Sequence, residues 1–502
     1  MISYIDDILN RITMYRLVLY ELVALIVTAF VFSFFHILPF DPTAVAFSVA
    51  LITGVCWITN WIFARVFEAA TNIESVYITA LILALIIPPV MATNAAGVGF
   101  LIFASVWAMA SKYIFAIGKK HVFNPAAFAV ALAAFTINQS ATWWVATIPL
   151  LPLVVAGGLL IVRKIRRFDL VVSFTVAALA TTVATSADAM TSISQTLLHS
   201  SFFFFAFVML TEPLTTPPNR ALRILYGALV GFLIAPNIHI GSLYVTPELA
   251  LLIGNVVSYA VSPKGRYMLS LVRIEQAAND VYDFVFKPDR PFSFRPGQYL
   301  EWTLSHNYPD NRGNRRYFTI ASAPTENEVR LGVKFYEKPS TFKRTLTAMQ
   351  PGDLISTSHL AGGFVMPKNK QKKMVFIAGG IGVTPFRSMI QHLLDTHEAR
   401  PITLLYSNKA LADIAYKDVF NQAQRELGIK TIYAVTDEKT PSPDVHQGFI
   451  DGALIASEVP DFRERIFYIS GPMTMVNAFK KTLRGMGISR FNIRTDFFPG
   501  FA

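Results

Sequence analysis

From about Arg16 to Val261 the chain is a succession of apolar runs with rare charges, and this stretch restricts the possible folds more than any other feature. A bilayer core has no water to satisfy backbone N–H and C=O groups, so only helices and closed barrels cross it. Unbroken apolar runs without strand alternation indicate helices, each needing roughly 20 apolar residues and fewer if neighbours shield it. About ten windows qualify: 16–38, 43–65, 75–93, 97–117, 122–138, 147–163, 169–186, 193–212, 221–236 and 245–262. After "SPKGRYMLSLVRIEQAANDVYDF" charges become regular and the runs shorten. The average over 502 residues, 53% hydrophobic and 15% charged, therefore mixes two unlike parts. The expected organisation is a membrane domain over 1–262 followed by a soluble region long enough for two small domains, 263–369 and 370–502.

The net charge of +11 points to a lipid bilayer and not to nucleic acid, because the basic residues cluster where hydrophobic segments end. With the N-terminus in the cytoplasm, the inner loops hold Arg16, Arg65, "GKKH", "RKIRR", "NRALR" and "SPKGR". The outer loops, "LPFDPT", "MATNAAG", "NQSATWW", "TSADAMTS" and "NIHIGSLYVTP", hold no Lys or Arg. A multi-pass protein of the cell (inner) membrane is expected, with both termini and the soluble region cytoplasmic. The single cysteine, Cys56, permits neither an internal disulfide nor a four-thiolate iron–sulfur cluster. The first twenty residues read as an interfacial lead-in and not as a cleaved signal.

Two polar breaks interrupt the apolar half. "HVFNPAAF" puts Asn124 and Pro125 at the inner end of the fifth window, and "FVMLTEPLTTPPNR" puts Glu212 at the inner end of the eighth. Each alone reads as a helix terminator. Together, Asn124-Pro125-Ala126 and Thr211-Glu212-Pro213-Leu214-Thr215 resemble the motifs of one family, NqrB/RnfD: the membrane flavoproteins of the sodium-translocating NADH:quinone reductase and of the Rnf complex. The resemblance implies ten spans and a membrane flavin, FMN or riboflavin, near Asn124, Thr211, Glu212 and Thr215. Family members often carry FMN esterified to a threonine in an outer loop, and the nearest match here is Thr142 in "QSATWW". Six positions before it stands Thr136 where the family has Asp, which favours a non-covalent flavin over a covalent one.

In the soluble region, "FSFRPGQYLEWTL", "NRRYFTIASAP" and "NEVRLGVKFY" read as short strands between turns, which suggests an antiparallel barrel over about 264–369. From Lys373 apolar strands alternate with amphipathic helices, the pattern of a parallel α/β sheet. "IAGGIGVTPF" then reads as a strand, a glycine turn and a helix start, which lets backbone N–H groups approach a pyrophosphate. Pro385 suits the first helical turn.

The order of "RRYFT", "GGIGVTP", "SGP" and the terminal "DFFPGFA" resembles the ferredoxin–NADP reductase superfamily across 264–502. The resemblance implies FAD on Arg316, Tyr317, Phe318 and Thr319, with Lys334, Ser340 and Thr341 as a second set of contacts. It implies NADH or NADPH on Gly379, Gly380, Gly382, Thr384 and Pro385, with Ser470, Gly471 and Pro472 against the nicotinamide and Ser407 and Lys409 where a 2′-phosphate would be read. Asp496 with Phe497 or Phe498 matches the terminal acid and ring-stacking aromatic. Thr319, Ser470 and Asp496 are the implied catalytic residues. Ser470 replaces the family's usual cysteine, so slower hydride transfer is expected.

The combined expectation is a transmembrane NAD(P)H oxidoreductase that passes electrons from FAD into the membrane domain. The acceptor would be an extracytoplasmic flavoprotein, a quinone or a metal. One alternative is a haem-containing reductase of the ferric reductase and NADPH oxidase type, for which His36, His121, His199 and His239 supply no pair within one window. Another is a redox-coupled ion transporter using Glu212.

Overall fold

The structure, a computed structural model, describes residues 12–67, 73–117, 120–217, 219–241, 243–262, 266–291, 293–306, 310, 314–437 and 445–496, with Ile5 and Leu9. The chain divides into two compact units, Met1–Gly265 and Arg266–Ala502.

The first unit is helical, and each of the ten apolar windows contains a helix. Among the described residues only Met14–Phe34, Pro42–Val66, Ala95–Ile114 and Phe168–Thr185 are long and apolar enough to cross a membrane. A fifth span arises if Ala189–Leu198 and Phe202–Met209, bent by 61°, count together. The expectation of about ten full spans is thus supported for four to five. The reason is local: Asn124 with Pro125 and Thr246 with Pro247 start their helices late, leaving Pro125–Thr136 with 12 residues and Pro247–Val261 with 15. Ile73–Ile86, only 14 residues, is buried along most of its length and so is shielded by its neighbours.

The second unit has two sheets. Tyr267–Ala278 (β1), Val281–Pro288 (β2), Tyr299–Thr303 (β3), Arg315–Thr319 (β4), Val329–Lys334 (β5) and Leu354–Ala361 (β6) form an antiparallel sheet of order β4-β3-β6-β1-β2-β5. Just beyond β4, Ala321 N–H donates to Arg330 O of β5 at 3.0 Å, so the two edge strands approach each other. The core within it centres on Trp302, Phe284, Phe286 and Phe342. Phe284 and Phe286 of β2 and Leu300 and Trp302 of β3 enter this core at every second position, which explains why the region reads as an all-β segment, although the intervening residues of both strands are largely buried too.

Met374–Gly379 (β7), Ile402–Asn408 (β8), Lys430–Val435 (β9), Val445–Gln447 (β10), Ile466–Ser470 (β11) and Ile493–Asp496 (β12) form a parallel sheet of order β10-β9-β8-β7-β11-β12. Every residue of β7 and β11 is buried, as expected for strands covered on both faces. The chain leaves β7 toward β8 on one side and later returns to β11 on the other. The crevice at the carboxyl ends of β7 and β11 is therefore the topological switch point, where ligands bind in such sheets.

Candidate functional site

Parallel register aligns the sequence motifs at one sheet edge. Ala378 pairs with Ser470, Ser470 with Asp496, and Gly379 with Ser407. The "GGIGVTP" turn leaves β7 through Gly380, which has a left-handed φ of 52°, and enters the helix Thr384–Asp395 with Pro385 in its first turn. A Cβ on Gly382 would stand 2.5 Å from Gly471 Cα and 2.6 Å from Ser470 O. Only glycine allows the two turns to close on each other, which leaves a backbone-lined cradle at the strand ends. Lys409 is exposed beside this edge, whereas the neighbouring Asn408 is buried with Nδ2 unpartnered among the described residues. Asn408 was missed from the sequence, where it looks like a loop polar residue. Pro472 caps the helix Met473–Gly485. Phe497 and Phe498 lie outside the described residues.

On β4, Arg316 and Phe318 both reach Phe342, the guanidinium at 5.2 Å and the ring at 6.0 Å, so they share a face. Tyr317 points to the other face, its hydroxyl donating to Glu301 at 2.6 Å. Thr319 is buried, and its Oγ1 has no hydrogen-bond partner among the described residues. A buried hydroxyl without a partner is costly and suits a ligand atom. Ser340 caps the short helix Thr341–Thr347, and Asp310 already accepts from the Thr341 N–H at 3.0 Å. Lys334 stands 3.8 Å from Asp413. Both sets have partners within the protein, Arg316 Nη1 donating to Arg315 O at 2.7 Å, and the Thr319 hydroxyl is the group that could meet a ligand atom.

Behind both sets the antiparallel sheet and the parallel layer interlock. The Tyr416 hydroxyl donates to Asp283 Oδ1 on β2 at 2.5 Å, and Arg330 of β5 stands 3.4 Å from Oδ2. A Cβ on Gly332 would meet the Tyr416 hydroxyl at 2.5 Å and Thr384 Cγ2 at 2.9 Å. One turn after Thr384, Arg387 donates to Ala321 O at 3.1 Å and pairs with Glu326. Ser388 donates to Ser322 O at 2.6 Å. The segment after Thr319 is thereby clamped to the helix that opens at the glycine turn. Burial pushes the Asp283 carboxyl up from its ordinary range, with Tyr416 and Arg330 pulling it back. Burial and the Asp283 charge hold the Tyr416 hydroxyl well above its usual value, so it stays a donor.

In the first unit the two polar breaks meet. Asn124 Nδ2 donates to Glu212 Oε2 at 2.9 Å, and Thr215 Oγ1 donates to the same oxygen at 3.2 Å. His121 Nε2 is 3.2 Å from Glu212 Oε1. The Asn124 N–H donates to Asn255 Oδ1 at 2.8 Å, and Asn255 Nδ2 lies 3.2 Å from the Tyr226 hydroxyl. Thr211 Oγ1 is turned back onto Phe207 O at 2.6 Å. Asn124, Pro125, Thr211, Glu212 and Pro213 line an open cleft of about 640 Å³ counted to its mouth, whose other walls include Tyr15, Val18, Thr79 and Ile161. Tyr226 and Asn255 were missed from the sequence, since each is a single polar residue in an apolar run, and His121 was weighed there only as a haem ligand and not as a partner of Glu212. Thr142 is exposed and absent from the cleft's lining. It lies beyond the opposite end of the helix Pro125–Thr136.

The chain's similarities divide in the same way. Residues 145–263 match the model of the NQR2, RnfD, RnfE family, and residues 376–481 match that of the oxidoreductase NAD-binding domain. A flavohemoprotein of Pseudomonas putida is 26% identical over 239 residues, which cover 47% of this chain and 59% of that protein. The reductase component of propane 2-monooxygenase from Rhodococcus jostii is 26% identical over 239 residues, covering 46% of this chain and 64% of that one. The chain thus spans about six tenths of the length of these curated relatives. Among solved structures, the flavohem-like FAD/NAD-binding domain of nitric oxide dioxygenase from Vibrio cholerae aligns with a TM-score of 0.41 at 20% identity, over 46% of this chain and 98% of that one.

The interlock gives a pH-dependent prediction. A raised native value means that the folded chain binds more protons at Asp283 than the unfolded chain does. Its contribution is therefore most favourable at low pH and falls as pH rises above the ordinary carboxylate range. Tyr416→Phe removes a donor to the ionised form and should deepen that fall, by about 1–3 kcal/mol in neutral buffer. Thermal release of FAD from the full-length variant should come earlier than from the parent in mildly alkaline buffer, with the difference shrinking in acid. An equal difference at all pH values would contradict this account.

Proposed function

We propose that the chain is a transmembrane NAD(P)H-dependent flavin oxidoreductase, in which the C-terminal region takes electrons from cytosolic NAD(P)H and the N-terminal region passes them on. The observation that carries this reading is the clamp joining the segment after Thr319 to the helix that follows Gly382, through Arg387 and Ser388. It holds a flavin-type strand and a dinucleotide-type turn in one rigid arrangement, as a transfer between two bound groups requires. The domains in this reading are 1–262, 263–369 and 370–502, the middle one a barrel closed near Ala321 and Arg330.

FAD, when bound, supplies a carrier that accepts hydride and releases electrons singly. Arg316 would hold its pyrophosphate by a charge-assisted contact, Phe318 would flank its ring, and the Thr319 hydroxyl would satisfy a ring acceptor or donor. The Gly379–Gly382 backbone and the first turn at Thr384 would hold the dinucleotide phosphates, and Ser470 and Asp496 would face the nicotinamide. Ser407 and Lys409 would meet a 2′-phosphate.

In the membrane half, the cleft at Asn124 and Glu212 suits a second, non-covalent flavin, FMN or riboflavin, with the ten apolar windows as a ten-span domain. Engagement of His121 by Glu212 at 3.2 Å and of His239 Nδ1 with Gly241 O at 2.8 Å supports a flavin over a pair of haem-ligating histidines. An extracytoplasmic flavoprotein, a quinone or a metal would take the electrons. The distribution of Lys and Arg supports cytoplasmic termini in a cell (inner) membrane.

Arg316→Ala should lose FAD and with it NAD(P)H-driven reduction of an artificial acceptor. Stoichiometric FAD in that variant would refute the site. Flavin extracted from the purified parent should amount to two per chain, all released by acid precipitation. One flavin per chain would remove the membrane site, and a fraction retained by the precipitate would restore Thr142 as a covalent point. Cysteines placed near Asn138 or Ser186 should react with an impermeant thiol reagent in whole cells, and cysteines in the basic loops should not.

A further inference from the structure

We propose that Glu21 is an exchangeable proton site inside the membrane half, one helical turn beyond the cleft at Asn124 and Glu212. Glu21 lies on the helix Met14–Phe34, 8% exposed, and its Oε1 has no hydrogen-bond partner among the described residues. Its carboxyl occupies the space over Gly157, where any Cβ would fall on it, while Phe207 packs over Gly158. Val18 and Ile161 line the cleft. Val18 precedes Glu21 by three residues, and Ile161 follows Gly157 by four, so both pairs share helix faces. The carboxyl is therefore about 5 Å further along both helices than the cleft wall.

An ionisable group inside an apolar span is costly and marks function by default. Packing alone would be served by glutamine at the same volume without that cost. A hard cation demands several oxygen ligands. Here the carboxyl lies against Gly157, which offers no side-chain oxygen, and its Oε1 has no partner among the described residues, which selects a proton.

The helices packed against Met14–Phe34 are Pro42–Val66, Ile73–Ile86 and Leu151–Ile165. Their charged groups are Arg65, Glu74, Arg163 and Lys164, and their other titratable groups are Cys56 and Tyr77. On its own helix stand Tyr15, Arg16 and Tyr20. Arg16 pairs with Glu74 at 2.8 Å, and Lys164 donates to Leu9 O at 2.6 Å. No ion pair to Glu21 forms among the described residues.

The step is a proton exchange. The carboxyl O–H bond breaks with its electron pair left on the carboxylate, and the proton leaves through the open cleft to solvent water; the reverse reloads Glu21. Its link to electron transfer rests on reading the cleft as a flavin site, but its existence does not.

Infrared difference spectra of the full-length protein between acidic and alkaline buffer test the site itself. A protonated-carboxyl band that shifts in D2O should be present in the parent and in Glu248→Gln, and absent from Glu21→Gln. Gly157→Ala, which displaces the carboxyl, should shift it. FAD content and NAD(P)H reduction of an artificial acceptor should be unchanged in Glu21→Gln. An identical band in parent and Glu21→Gln would overturn the proposal. A band removed by sodium but not by potassium would also overturn it, in favour of a cation site. Reduction by NADH should alter the band only if the cleft is redox-active, so failure of that arm alone counts against the flavin reading and not against the proton site.

Discussion

The membrane half depends on the hydrogen bond from Asn124 to Glu212. Helices that start or stop within an apolar bundle leave N–H and C=O groups that no water satisfies. Asn124 meets this demand in three directions: its Oδ1 caps Ala127 N–H, its own N–H donates to Asn255, and its Nδ2 donates to Glu212. A wide π-type turn over Phe205–Met209 delivers Thr211 and Glu212 to the same place. Such turns recur at functional sites because they re-aim a side chain within a helix. The polar groups that allow the helices to be short thus also line the cleft.

The second unit solves a related problem with charge. Asp283 is 2% exposed and would be costly alone. Tyr416, Arg330 and Arg387 surround it, and these groups come from both sheet layers. Because breaking such a set leaves a buried charge uncompensated, the layers have one favoured arrangement. That arrangement brings the end of β4 to the helix opened by the glycine turn, so the packing that stabilises the module also orients its two binding segments.

Legibility in the sequence followed the range of the interaction. Local signals were read well: proline-started helices, strand alternation and the glycine turn depend on neighbouring residues, and β7, β11 and the Thr384 helix stand where the pattern placed them. The meeting of "NPA" with "TEPLT" was anticipated through resemblance, since 88 residues separate Asn124 from Glu212. Asn255, Tyr226 and Tyr416 were not legible. Each acts through a contact far away in sequence, and a lone polar residue in an apolar run carries no pattern. The apolar windows outnumber the long helices for a physical reason: hydropathy measures apolar length, whereas capping residues decide where a helix begins.

The separation of the cleft from Thr142 bears on how electrons would leave. The helix between them has 12 residues, which is about 18 Å of axis. A flavin in the cleft and a flavin on Thr142 would therefore occupy different sites, and the polar lining gathers at the first. Thr142 itself is held at its backbone, where its N–H donates to Ile86 O at 3.0 Å, and the next residue, Trp143, is in a left-handed conformation with φ of 53°. That tight crossing leaves little free peptide for a modifying enzyme to bind. Were a redox group held at the cleft, the 12 residues of that helix would separate it from the loop at Thr142.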